Sequence, residues 1–177
     1  VLPGSKICGR AFTVHYVPCG QEKGTVGDFL DDVEVGQVVV IDNAGREYCT
    51  VWGDIMAITA KMKGIAGTVI DGVCRDIPAV KESGYPIFSK GCYMVTGKDR
   101  VEVDAVNVPV SVSGIQVTPG DIVLADDTGA VVVPKKRAEE IIEIAENIDK
   151  VESAIVALVK EGKSLKEARK ITGYHHL

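Results

Sequence analysis

Apolar, mostly β-branched residues fill every position from Val38 to Ile41. Such a run reads as a strand covered on both faces, not one with a wet side. A polar, glycine-containing stretch at 43–47 reads as a loop. Over 54–63 the apolar positions change period: Ile55, Ile58 and Met62 fall on one helical face, and Gly64 suits the left-handed residue that ends a helix. A second buried strand is predicted over 67–71, a short helix over 77–83 closed by Gly84, and a third strand over 86–88. This is a βαβαβ unit. Right-handed crossovers make its strands parallel, and ligands of such sheets bind beyond the strands' carboxyl ends. Both helices start at that rim, where unpaired N–H groups favour an anion.

Around this unit the pattern is different. Residues 5–17 alternate well enough for a strand. From 101 to 133 short strands are predicted at 101–103, 108–112, 115–117, 122–125 and 130–133, with turns at Gly114, Pro119-Gly120 and Asp127-Thr128-Gly129. They are expected to be mostly antiparallel. A long helix follows over about 135–161. Its Ile141, Ile144, Ile148, Val151, Ile155 and Leu158 repeat at spacings of three and four, a seam that packs either on its own sheet or on another subunit. Ser164 and Glu167 fit a capping box opening a short helix over about 164–171. The fold class is α/β: a parallel βαβαβ core, additional antiparallel strands and a long C-terminal helix, expected as one domain over 1–177.

Composition narrows the function. With 177 residues, 46% of them apolar, the chain can bury one substantial core. Its net charge of −5 comes from 25 acidic and 20 basic residues spread along the sequence, which leaves no footprint for nucleic acid or a membrane surface. No apolar run is long enough to span a bilayer and no secretory leader opens the chain, so a soluble, cytoplasmic protein is expected. Cys8, Cys19, Cys49, Cys74 and Cys92 form an odd set without C-x-x-C spacing, so neither a disulfide framework nor a zinc site is expected. Cys74 adjoins Arg75, but a nucleophilic role needs a base, and His15, His175 and His176 are remote in sequence.

Three charges belong to the predicted rim: Asp54, then after 20 intervening residues the pair Arg75 and Asp76. Each has a structural reading beside a chemical one. Asp76, ahead of Ile77-Pro78, suits a helix N-cap. Asp54 suits a first-turn acid worth about 0.3–1 kcal/mol against the helix dipole. Arg75, at the end of a buried strand, needs an anion or solvent, and a substrate carboxylate is one candidate.

The stretch Gly53-Asp54-Ile55-Met56, the run from Gly64 to Arg75-Asp76, and Gly84-Tyr85-Pro86-Ile87-Phe88 resemble the RraA-like family, which includes class II pyruvate aldolases acting on 4-hydroxy-4-methyl-2-oxoglutarate. Residues 11–14, 108–110, 119–121 and 127–134 match the same pattern in the same order. The resemblance implies a swivelling β/β/α domain assembled as a homotrimer or homohexamer. It further implies that Asp76 anchors Mg²⁺ or Mn²⁺ largely through waters, and that Arg75 with the backbone of Gly53, Asp54, Ile55 and Met56 holds the pyruvyl end. Asp54 would orient a metal-bound water, and Glu152 from a neighbouring copy would complete the site. The implied activity is a metal-dependent lyase of small 2-oxo acids, by retro-aldol cleavage giving pyruvate or by oxaloacetate decarboxylation. Members without the final Asp resemble inhibitors of ribonuclease E, so the alternative is a non-catalytic regulatory binding protein. Two features differ from the pattern: Ala79 stands where many active members carry an acid, and the family's helix before the first strand is not seen.

Overall fold

The computed structural model describes residues 2–22 and 24–176. The chain divides into two compact units, 1–135 and 136–177. The first contains β1 (Ile7–Pro18), β2 (Val38–Thr50), α1 (Asp54–Met62), β3 (Gly67–Cys74), α2 (Ile77–Ser83), β4 (Ile87–Cys92), β5 (Val101–Val106), β6 (Val110–Val112), β7 (Ile115–Val117), β8 (Ile122–Asp126) and β9 (Gly129–Val133). The second contains α3 (Ala138–Lys160) and α4 (Leu165–Thr172).

The expected βαβαβ unit is present, with β2, β3 and β4 adjacent and parallel, and β1 joins them in parallel on the other side of β2. The main sheet runs β4-β3-β2-β1-β8-β9, with β5 also pairing with β1. β5 and β8 are antiparallel to β1, and β9 is antiparallel to β8. β6 and β7 form a separate hairpin.

Strand alternation explains the continuous apolar run of β2. Val39 and Ile41 enter a core with Phe12, Trp52, Ala57, Ala60 and Val80, on the side of α1 and α2. Val38 and Val40 enter a second core with Val69, Val110, Val117 and Val123, on the side of the hairpin. With both faces covered, a polar face would have no place.

Two expectations need correction. Residues 43–47 are not a loop outside the sheet, because β2 continues to Thr50 with register shifts on β3 after Asp42 and after Arg46. Left-handed backbone at Ala44 (φ 50°) and Gly45 (φ 67°) absorbs the extra residues, and Asp42 Oδ1 accepts from Ala44 N at 2.9 Å. In α1 the buried face is formed by Ala57 and Ala60, while Ile55 and Met62 are 74% and 83% exposed. Methyl-sized side chains let this helix lie close to the sheet.

Residues 135–137 wind a 3₁₀ turn, and α3 begins at Ala138, a turn later than its sequence pattern suggests. α4 packs on α3. Its capping box is formed, with Ser164 Oγ accepting from Glu167 N and Glu167 Oε2 accepting from Ser164 N at 3.1 Å. Ile155 of the seam is buried, whereas Ile144 remains 50% exposed. No helix among the described residues is long and apolar enough to cross a membrane.

Two measurements test these contacts. A methyl on Gly9 would stand 2.3 Å from the backbone oxygen of Gly36. Gly9→Ala is therefore expected to lower denaturant-unfolding stability by about 1–3 kcal/mol, while Gly20→Ala, whose nearest contact is 3.9 Å, stays near neutral. The second concerns Asp71. Its largest influence, burial, raises its pKa, but hydrogen bonds from Lys90 and Ser113 and the Lys90 charge together hold it below the usual carboxylate range. That stabilisation is full above the ordinary carboxylate pKa of about 4 and is lost as pH falls through the depressed folded value. Melting temperature followed from pH 6 down to pH 2 is expected to fall less in Asp71→Asn than in the parent.

Candidate active site

The rim beyond the carboxyl ends of β2 and β3 is built around a glycine. Gly53 is buried and extended, with φ −147° and ψ −165°, so its backbone conformation is open to any residue. Space is what requires glycine: a Cβ there would lie 2.7 Å from Asp76 Oδ2 and 3.2 Å from Arg75 Nε. The chain before α1 and the chain before α2 thus touch through the missing side chain. Two further contacts hold them in place. Arg75 N donates to Trp52 O at 3.0 Å, and the buried Trp52 ring stacks on Tyr85, with centroids 5.9 Å apart and planes 6° from parallel.

The structure brings Gly53, Asp54, Arg75 and Asp76 together. Asp76 Oδ2 lies 3.4 Å from Arg75 Nε and 3.4 Å from Asp54 N, a long contact in each case. Asp54 Oδ1 accepts from Ile55 N at 2.7 Å. The Arg75 and Asp76 side chains are 38% and 33% exposed, so both remain open to a ligand.

Asp76 occupies the N-cap position its sequence context suggests, but its side chain does not cap the helix. It precedes α2 in the left-handed region, at φ 58° and ψ 39°, and makes no side-chain cap. Left-handed backbone is uncommon outside glycine, although Asp tolerates it better than most residues. A residue held in this conformation, with its carboxylate turned from the helix end toward a neighbouring guanidinium, is the kind of local strain that collects at functional sites.

Among the described residues no group of three His, Cys, Asp or Glu could enclose a metal. That donor set does not suit zinc or an all-protein calcium cage. One partly exposed, hard carboxylate oxygen does suit Mg²⁺ or Mn²⁺, which keep several waters. Asp126 does not offer a comparable ligand, because its Oδ1 accepts from Thr128 N at 2.8 Å within its own turn, and Asp127 accepts from Gly4 N at 2.8 Å.

Other candidates resolve differently. Cys74 is buried, and burial foremost pushes its thiol pKa up, the wrong direction for a nucleophile. His15 pairs with Asp104 at 3.1 Å. Met56 is partly buried against the α-side core, its sulfur within 3.2 Å of where a Cβ on Gly27 would lie. Ile55 points to solvent. Glu152 is exposed on α3, in the second unit. The sequence pattern missed Trp52, whose carbonyl fixes Arg75. Its signal was a single large aromatic immediately before the Gly53-Asp54 helix start.

Comparison with known proteins gives a consistent picture. A family model described as RraA-like, Aldolase/RraA, matches residues 1–132. Protein DlpA of Legionella pneumophila is 39% identical over 170 residues, covering 94% of this chain but only 28% of DlpA. A protein of Halalkalibacterium halodurans named "Putative 4-hydroxy-4-methyl-2-oxoglutarate aldolase" is 38% identical over 110 residues, covering 62% of this chain and 52% of that protein. The chain thus spans about a quarter to a half of these two relatives. Among solved structures, Streptomyces coelicolor RraAS2, described as an unusual member of the RNase ES inhibitor RraA protein family, superposes with a TM-score of 0.79 at 36% identity, covering 85% of this chain and 76% of its own.

The glycine contact has a direct readout. Gly53→Ala is expected to leave the far-ultraviolet circular dichroism unchanged and to move the Arg75 Nε–Hε resonance, because the added methyl occupies the space of the Asp76 carboxylate.

Proposed function

The chain belongs to the RraA-like (Aldolase/RraA) family, and on that premise we propose that it is a divalent-metal-dependent lyase of small 2-oxo acids, releasing pyruvate from 4-hydroxy-4-methyl-2-oxoglutarate-type substrates or decarboxylating oxaloacetate. The observation that carries this reading is the Asp76 carboxylate, turned off the start of α2 and held beside the Arg75 guanidinium and the backbone N of Asp54 at the start of α1. The name of the H. halodurans relative points the same way.

The residues divide the work by their chemistry. Arg75 pairs with the substrate carboxylate, and its planar donors together with the N-terminal end of α1 face the oxygen on which negative charge grows as the carbon–carbon bond breaks. Asp54, on the first turn of α1, moves the proton to or from the reacting end. Asp76 holds the cation. A divalent metal bound there would supply Lewis-acid stabilisation of the same developing charge. Gly53 keeps the three groups within reach of one small substrate. The partly exposed seam of α3 suits assembly as a trimer or hexamer, in which Glu152 of a neighbouring copy supplies a further acid.

Pyruvate release from 4-hydroxy-4-methyl-2-oxoglutarate and from oxaloacetate, coupled to lactate dehydrogenase, tests the reading. Turnover is expected to vanish with chelator and to return with Mn²⁺ or Mg²⁺. Arg75→Ala and Asp76→Ala are each expected to lose about 10²–10³-fold in kcat, and Gly53→Ala roughly 10²-fold through misplacement of both groups. Full activity in Asp76→Ala would overturn the assignment. The similarity to RraAS2 favours a second reading, a regulatory binding protein. A stoichiometric protein partner recovered with a chain that turns over neither substrate would establish that reading instead.

A further inference from the structure

β4 is the outer strand at one end of the main sheet, and its last residue, Cys92, is exposed. Cys92 is the register partner of Cys74, the buried last residue of β3. The ladder still holds at this pair, because Tyr93 N donates to Cys74 O at 3.0 Å. Partners directly opposite on such a ladder send their side chains to the same face. The preceding pair shows that alignment: a Cβ on Gly91 would lie 3.8 Å from Cγ1 of its partner Val73. One residue on, the two cysteines alternate together to the other face. Neighbouring strands stand about 4.8 Å apart, within the roughly 4.4–6.8 Å between Cα atoms that a disulfide spans. No C-x-x-C spacing announces the pair, because α2 lies between the two strands in the chain.

The two thiols differ in access. Cys92 is open to solvent, whereas Cys74 Sγ is buried with Ser89 Oγ at 3.5 Å. A small oxidant arriving from solvent therefore meets Cys92 first. We propose that Cys74 and Cys92 are a modification site, which hydrogen peroxide closes to a reversible disulfide one residue from Arg75. The Cys92 sulfur attacks one peroxide oxygen, the O–O bond breaks, and Cys92 sulfenic acid forms with release of one water. The Cys74 sulfur then attacks the Cys92 sulfur: the S–S bond forms, the S–O bond breaks, and the hydroxyl leaves with the Cys74 proton as a second water. Two thiols thus give two electrons and two protons to one peroxide. Being opposite on the ladder makes the second step intramolecular, which favours it over further oxidation of Cys92. Any effect on turnover rests on the lyase reading, but the disulfide itself does not.

Peptide mapping of the folded full chain tests this without substrate or metal, so its failure and that of the lyase reading are read separately. Trypsin releases Cys74 in the peptide 64–75 and Cys92 in the peptide 91–98. After hydrogen peroxide, blocking of the remaining thiols and digestion without reductant, mass spectrometry is expected to find these two peptides joined, and dithiothreitol to separate them. Cys92→Ser, a change at an exposed position, is expected to abolish the joined pair, while Cys8→Ser, opposite Leu124 on β8, keeps it. The Arg75 Nε–Hε resonance is expected to shift on oxidation and to return on reduction. No joined pair from the folded chain, Cys92 carried on to sulfinic acid while Cys74 stays a thiol, Cys74 joined as readily to Cys8, or an Arg75 resonance unmoved in the cross-linked chain would overturn the proposal.

Discussion

The candidate site depends on the absence of a side chain at Gly53. A single methyl there would meet Asp76 Oδ2 at 2.7 Å and Arg75 Nε at 3.2 Å, and either the two loops would part or the carboxylate would swing away. The close approach is possible because β2 and β3 are parallel neighbours, so the chain leaves both at one edge and returns through α1 and α2 from the same edge. Topology delivers the three charges to the rim, and Gly53 lets the Arg75 and Asp76 side chains approach the start of α1. Trp52 supports the arrangement from beneath, its ring stacked on Tyr85 and its carbonyl accepting from Arg75 N.

Asp76 shows why local rules and the fold can disagree. Ahead of Ile77-Pro78 an Asp is well suited to cap, yet its backbone is left-handed and its side chain caps nothing. Parting from a cap is commonly a cost of about 1 kcal/mol, and left-handed backbone adds to it. Proteins keep such departures where a side chain has other work. An anion clamp beside a hard oxygen ligand is the use we propose for the pair.

Much of this was legible in the sequence, for identifiable reasons. The buried runs of β2 and β3, the glycines closing α1 and α2, and the turn signals between the short strands are local features, and these elements appear in the predicted order, although β2, β3 and β4 run past their predicted ends. Residues 43–47 were misread because polar character with a glycine describes a bulged strand end as well as a loop, and only pairing with β3 decides between them. The α1 face was misread because exposed Ile55 and Met62 outweigh buried Ala57 and Ala60 on any hydrophobicity scale, while the distance between helix and sheet is a tertiary fact. The Asp71–Lys90 pair had a faint signal, opposite charges on adjacent strands, but Ser113, which donates to the same carboxylate, depends on the hairpin's position, which no local pattern encodes.

The central claim is that Asp76 is a metal anchor and not a helix cap. Titration of the chain with Mn²⁺, followed by water-proton relaxation enhancement, measures this directly, because a cation held by one carboxylate retains exchangeable waters. The account predicts one enhanced site in the parent, with at least about tenfold weaker affinity in Asp76→Asn and unchanged circular dichroism. Equal Mn²⁺ affinity and enhancement in the two proteins would contradict it.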